Sequence, residues 1–135
     1  MPILFNRVQR RNPTDPSAPK KWYAVLKRVV QVREKDVAKQ ISDETTLNPK
    51  EAEMAMSQLK KVVLSSLLSS NSVQLGDWAS IRVTCKSKPS DTKDGVTANS
   101  ITKLNVRITV NQSFVDELNN NASFLSADSL QNDAT

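Results

Sequence analysis

The chain has 135 residues, of which 38% are hydrophobic and 24% charged, and these values are typical of one globular domain rather than a disordered segment. It contains no histidine and one cysteine, so it lacks the commonest general base and metal ligand and cannot form an intrachain disulfide. No apolar stretch is long enough for a membrane span, and the run Pro2–Phe5 is too short for a signal peptide. We therefore expect a cytoplasmic protein that is not an enzyme and holds no metal or cofactor.

The net charge of +5 is concentrated in two segments of the chain. Residues 1–35 carry nine Lys or Arg against two acids, and residues 79–110 carry six against two, whereas residues 36–78 and 111–135 are acidic. Both basic segments have the residue types of β-strands. This distribution favours a sheet surface that meets a polyanion, although a soluble basic protein with solvated faces would show the same distribution.

The first 33 residues predict a β-rich extension. Residues 2–11 (PILFNRVQRR) contain the apolar and β-branched residues typical of a strand, and residues 20–32 (KKWYAVLKRVVQV) resume this composition as one or two strands. Between them, residues 12–19 hold three prolines and predict a loop. Six cations of the extension either enlarge a basic surface or act as ordinary edge charges that discourage aggregation. They are Arg10, Arg11, Lys20, Lys21, Lys27 and Arg28.

Two helices are predicted next. The first begins near Glu34 and lasts about ten residues. The second starts at a clear signal, because Asn48 is a good helix cap, Pro49 suits the first helical position and Glu51 completes a capping box. Its apolar residues recur at three- and four-residue steps to about residue 69, which is more apolar surface than the short first helix can cover.

The excess apolar surface of the second helix predicts a sheet on one side and a second subunit on the other, with coverage by the N-terminal strands as the alternative. We assign four residues to the core or to a dimer interface. They are Leu59, Val63, Leu67 and Trp78.

Two alternating strands follow, at residues 80–86 and 102–110, and Asp94-Gly95 predicts a tight turn between them. Their apolar residues are expected to point inward, Cys85 included, which makes this thiol a core residue rather than a nucleophile. Their outer face and the connection between them carry six cations that are candidates for binding a polyanion. These are Arg82, Lys86, Lys88, Lys93, Lys103 and Arg107.

A short helix is predicted at residues 111–119, with Asn111 or Ser113 as its cap. Residues 120–135 form a polar tail of weak structure. Its apolar anchors are Phe124, Leu125 and Leu130.

The stretch VQLGDWASIRV at residues 73–83 and the order of these elements resemble the histone-like HU and integration host factor family. Residues 73–75 and Val83 match the family stretch that follows the long helix, and Trp78 stands where the family has an aromatic residue. The resemblance covers residues 34–119, and residues 1–33 are similar to extended HU-like variants with an added β segment.

This resemblance implies an α+β fold, in which a helical hairpin packs on an antiparallel β-sheet with a short arm, in an intertwined homodimer. It also implies a bacterial, nucleoid-associated protein that binds double-stranded DNA largely independently of base sequence, through phosphate contacts, with no membrane and no small-molecule substrate among its partners.

The arm between the strands departs from the family pattern, since it is short and carries Asp91 and Asp94. Residues 108–112 also lack the lysines that the family has before its last helix. These departures favour a second hypothesis, an HU-fold interaction module without DNA binding. A third hypothesis, a winged helix-turn-helix regulator, is disfavoured because the long helix is mostly aliphatic.

Overall fold

The computed structural model describes residues 2–128, which fall into two compact units. One unit consists of the described residues up to Val32 together with those from Leu118 onward, and the other runs from Arg33 to Glu117. Leu130, a predicted anchor of the tail, lies outside the described residues. In chain order the elements are β1 (Ile3–Arg10), β2 (Lys21–Leu26), α1 (Glu34–Glu44), α2 (Pro49–Leu68), β3 (Val73–Leu75), β4 (Ala79–Ser87), a 3-10 turn (Ala98–Ser100), β5 (Ile101–Val110), α3 (Gln112–Asn121) and β6 (Phe124–Ser126).

The first unit is a three-stranded sheet with β1 between β2 and β6. The proline-rich loop joins β1 to β2 as an antiparallel hairpin, while β6 pairs with β1 in parallel. Leu125 lies beside Leu4 in this pairing, and the amide of Ala127 donates to the carbonyl of Phe5 at 2.9 Å. The start of the predicted tail is therefore part of a sheet rather than weakly structured.

The second unit begins with the two predicted helices. The capping box of α2 is confirmed, because the amide of Glu51 donates to Asn48 Oδ1 at 2.9 Å and the amide of Asn48 donates to Glu51 Oε2 at 3.3 Å. The two helices contact each other, and Ala38 of α1 and Ala52 of α2 are buried. No helix within residues 2–128 combines the length and hydropathy needed to cross a membrane.

A sharp corner at residues 76–78 joins β3 to β4. Gly76 has φ +57°, a left-handed conformation that glycine adopts without strain. The carbonyl of Asp77 accepts hydrogen bonds from Asn111 Nδ2 at 2.8 Å and from Ser113 Oγ at 3.2 Å. Asn111 directly precedes α3, and its carbonyl accepts from the amides of Phe114 and Val115, so it stands at the predicted cap position while its side chain also holds the corner.

The sheet of the second unit has the order β3-β4-β5 and is antiparallel. Helix α2 contacts β3 and β4, and Ala79 and Ile81 are buried. Farther along the β4–β5 ribbon the apolar face is uncovered, with Leu104 60% and Val106 59% exposed and Cys85 exposed. The expectation that Cys85 is a core residue therefore fails within a single chain.

Candidate nucleic-acid interface

Four cations lie on one face of the β4–β5 ribbon as two directly opposed pairs. Arg82 is the cross-strand partner of Arg107, and Lys86 is the partner of Lys103. All four side chains are exposed. Opposed residues in an antiparallel pair have Cβ atoms about 5 Å apart, so the charges of each pair lie close together. We call these four residues the cationic face.

The alternation of the two strands explains why these cations share a face. In a β-strand, side chains two positions apart point to the same side, so residues 82, 84 and 86 share one side of β4. Thr84 lies opposite Asn105 between the two charged pairs, and Ser80 lies opposite Thr109 at the end of the row. The whole face is therefore polar and contains no acidic group.

The opposed pairs have an electrostatic consequence for the free protein. Like charges directly opposite each other in a sheet repel, and exposed cross-strand pairs contribute on the order of 0.2–1 kcal/mol in either direction. The cationic face thus weakens the β4–β5 pairing unless an anion neutralises it. A row of phosphates is one such anion.

The two remaining cations of this segment, Lys88 and Lys93, lie in the connection between β4 and β5 and are exposed. The amide of Lys88 donates to the carbonyl of Ser100 at 2.8 Å, which extends the pairing of the ribbon by one step. The amide of Val96 donates to the carbonyl of Lys93 at 3.2 Å, so a tight turn forms across Asp94-Gly95 as predicted. The aspartates of this connection offset the charge of its two lysines.

The six candidate cations of the N-terminal extension belong to the first unit, and all of them are exposed. Arg10 is the cross-strand partner of Lys21, which makes a third opposed pair of cations. Of the other four, Arg11 and Lys20 flank the hairpin loop, and Lys27 and Arg28 follow β2. Tyr23 was not among the predicted site residues, although the alternation of KWY in β2 places it on the face of Lys21.

None of the four residues assigned to a core or dimer interface is buried within the chain. Leu59 is 44% and Trp78 48% exposed, while Val63 and Leu67 are half-buried. The ring of Trp78 packs against Phe114 of α3 with 6.1 Å between the ring centroids. The second unit therefore leaves an apolar surface uncovered.

A groove of about 680 Å³ lies between the C-terminal end of α2 and the β4–β5 ribbon. Leucines from the helix line one side, and apolar residues of the two strands line the other. The exposed leucines include Leu64 at 56% and Leu68 at 74%. Within residues 2–128, no three Cys, Asp or Glu side chains are grouped as a metal ion would require.

Two solved structures are similar to this chain. The first is a protein from Bacteroides vulgatus ATCC 8482 described as a candidate bacterial DNA-binding protein, with a TM-score of 0.62 and 10% sequence identity. The alignment covers 92% of this chain and 48% of that one, so this chain spans about half of its length. The second is Anabaena HU in a cocrystal with DNA, with a TM-score of 0.49, 9% identity and coverage of 64% of this chain and 96% of that one.

No curated protein sequence matches the chain. The model of one protein family matches residues 1–125, and that family is described as HU-HIG, an HU domain fused to a wHTH, Ig or glycine-rich motif. This match confirms the resemblance to HU, and the fold of the Bacteroides protein agrees with the α+β architecture. The chain belongs to the HU-HIG family.

Proposed function

We propose that this chain is an HU-type architectural protein that binds double-stranded DNA through its cationic face, largely independently of base sequence. The observation that carries the proposal is the opposition of Arg82 to Arg107 and of Lys86 to Lys103. These like-charged pairs destabilise the free protein, and a bound polyanion would relieve their repulsion.

The spacing of the cationic face suits contacts to phosphates rather than to bases. Arg82 and Lys86 are four residues apart on β4, which corresponds to about 13 Å along the strand at about 3.3 Å per residue. Two strands that carry cations at both positions present a patch rather than a point charge. Each phosphate that is neutralised releases counterions, which makes binding strong at low salt and tolerant of sequence.

The proposal includes a homodimer, in which a second copy of this chain covers the apolar surface of the second unit. Large contiguous apolar patches are rare on soluble monomers. Here they occur both on α2 and on β5, where Val106 and Ile108 are 59% and 67% exposed. Leucines of α2 and apolar residues of both strands line much of the 680 Å³ groove, so an apolar element of the partner fits it, although Arg82 and Thr84 also belong to its lining.

The family and the Bacteroides relative also support DNA binding by this chain. The HU-HIG family is defined by an HU domain, and the relative is described as a candidate DNA-binding protein. We infer a role in the bacterial nucleoid, hence in the cytoplasm, that bends or packages DNA rather than catalysing a reaction.

A second candidate function is an HU-fold interaction module that does not bind DNA. The connection between β4 and β5 favours this candidate, because Asp91 and Asp94 offset the charge of Lys88 and Lys93 at the place where a DNA-gripping arm would be positive. The family match to an HU domain favours these two candidates over a winged helix-turn-helix regulator.

A mobility-shift titration with random-sequence duplex DNA at two salt concentrations tests the proposal. We expect retardation that weakens steeply with salt and is largely lost in the double variant Arg82→Ala/Arg107→Ala. The double variant Lys60→Ala/Lys61→Ala is the matched control, because it removes the same charge from exposed positions on α2. If the folded dimer fails to retard DNA at low salt, the interaction-module candidate replaces this proposal.

A further inference from the structure

A concave pocket of about 460 Å³ lies in the first unit, at the loop end of the β1–β2 hairpin. Arg10, Arg11 and Lys21 supply three cations to its lining, and Tyr23 supplies an aromatic ring. The remaining lining residues come from the two ends of the proline-rich loop. None of the described residues that line this pocket is acidic, so its charge is positive.

The strand register explains how the charged and aromatic groups meet. Arg10 lies opposite Lys21, and Val8 lies opposite Tyr23. Residues two apart in a strand share a face, so Arg10, Lys21 and Tyr23 lie on the same side of the hairpin. Tyr23 is 49% exposed, which leaves part of its ring available to a ligand.

The loop that completes the pocket is held in shape before any ligand binds. Asn12 Oδ1 accepts from the amide of Thr14 at 3.0 Å and from its hydroxyl at 2.7 Å. Asp15 Oδ1 accepts from the amide of Ser17 at 3.2 Å and from its hydroxyl at 2.6 Å. These bonds from Ser17 lower the pKa of Asp15 and keep its carboxylate engaged within the loop. A pocket that is already formed loses less entropy on binding.

We propose that this pocket binds an unpaired nucleotide of single-stranded DNA, with the three cations on its phosphates and Tyr23 stacked on its base. Cations alone would serve the phosphates of a duplex equally well. An exposed ring beside them favours an unpaired base, because the faces of paired bases are already stacked on their neighbours inside the duplex. The inference goes beyond duplex binding by the cationic face and does not depend on it.

The same two strands provide matched controls on their opposite side. Trp22 lies opposite Gln9, and Arg7 lies opposite Ala24, so these side chains alternate away from the pocket. Both are exposed, Trp22 by 68%, and neither lines the pocket. Each side of the hairpin therefore carries at least one aromatic and one cationic residue.

Fluorescence anisotropy with a labelled oligothymidylate and the full chain tests the inference. We expect Tyr23→Ala to weaken oligothymidylate binding at least about fivefold, which is in the range of one stacked base. Arg10→Ala should weaken it to a similar extent by removing a phosphate contact. Trp22→Ala and Arg7→Ala should leave the affinity within about twofold. Tyr23→Phe should bind like the original chain, because phenylalanine keeps the aromatic face. Tyr23→Leu, which keeps apolar bulk without that face, should weaken binding and guards against a folding defect of the alanine variant.

The Arg82→Ala/Arg107→Ala variant separates this inference from the proposed function. We expect it to lose duplex binding and to retain oligothymidylate binding. Equal effects of Tyr23→Ala and Trp22→Ala on oligothymidylate binding would overturn the inference. A second result would also overturn it: the Arg82→Ala/Arg107→Ala variant loses oligothymidylate binding, while the Arg10→Ala and Tyr23→Ala variants keep it unchanged. Absence of duplex binding with intact oligothymidylate binding would overturn only the proposed function.

Discussion

Arg82 lies directly opposite Arg107 in the antiparallel register of β4 and β5, and the next charged pair along the ribbon, Lys86 and Lys103, repeats the arrangement. Two successive like-charged pairs on one face oppose the pairing of their own strands. A protein selected only for stability would place an acid or a threonine at one member of each pair. The four like charges therefore lower the stability of the ribbon and give it a dense positive surface, which is a trade between stability and binding.

The first prediction tests this trade with Arg107→Thr. Threonine suits a strand and removes the repulsion, so we expect the free energy of unfolding to rise by about 0.2–1 kcal/mol in urea denaturation. The same change should weaken DNA binding and reduce the slope of log K against log salt by about 0.9 for each lost phosphate contact, hence by about 1.8 for a dimer that carries the change in both protomers.

Lys60→Ala is the control for this experiment, because Lys60 is an exposed cation on α2. It should leave the salt slope unchanged. A less stable Arg107→Thr protein, or one with an unaltered salt slope, would contradict the trade between stability and binding.

The second prediction concerns the apolar side of the same ribbon. Val106 is 59% exposed and lies opposite Val83, and we propose that a second copy of the chain covers it. Val106→Asp would bury an unpaired charge in that interface, so sedimentation should show monomers where the original chain forms dimers. Dimer dissociation should also lower the thermal midpoint and make it less dependent on protein concentration.

Val96→Asp provides the control, because Val96 is similarly exposed, at 54%, but lies in the connection between β4 and β5. It should leave the dimer intact. An original chain that sediments as a monomer at high concentration would refute the dimer.

Local signals predicted much of this structure, while long-range pairing escaped them. Asn48 and Glu51 fix the start of α2 through contacts three residues apart, so their residue types were sufficient. Alternation likewise assigned Arg82 and Arg107 to outer faces.

The sequence did not predict which cations of β4 and β5 lie opposite each other. This register depends on how residues 88–100 close the ribbon and on an irregularity between Lys86 and Ser87. The parallel pairing of β6 with β1 joins segments more than a hundred residues apart and has no local signal. The exposure of Cys85 was missed for another reason, since alternation assigns a face but does not say whether the same chain covers it.

The third prediction concerns the corner that joins β3 to β4. Asn111 Nδ2 donates to the carbonyl of Asp77, and the backbone amide of Asn111 donates to the carbonyl of Trp78, both at 2.8 Å. Asn111→Ala removes the first bond and should cost about 0.5–1.5 kcal/mol of unfolding free energy, measured by urea denaturation. Asn111→Asp should cost at least as much, because a carboxylate cannot donate to a carbonyl.

Ser113→Ala should cost less than Asn111→Ala, since the bond from the Ser113 hydroxyl to the same carbonyl is longer, at 3.2 Å. Asn120→Ala, an exposed position in α3, should not destabilise the protein. Equal costs for Asn111→Ala and Asn120→Ala would show that the side-chain bond to the corner contributes nothing.

The fourth prediction concerns the end of α2. Ser70 has φ +66°, its amide donates to the carbonyl of Leu67 at 3.2 Å, and the amide of Asn71 donates to the carbonyl of Ser66 at 3.0 Å. This is the left-handed helix end at which glycine is preferred. Relief of the left-handed strain, offset by the entropy that glycine loses on folding, should make Ser70→Gly more stable by about 0.5–1 kcal/mol. Ser66→Gly, inside the helix, should instead destabilise by about 0.5–1 kcal/mol, so thermal unfolding of the two variants must shift in opposite directions.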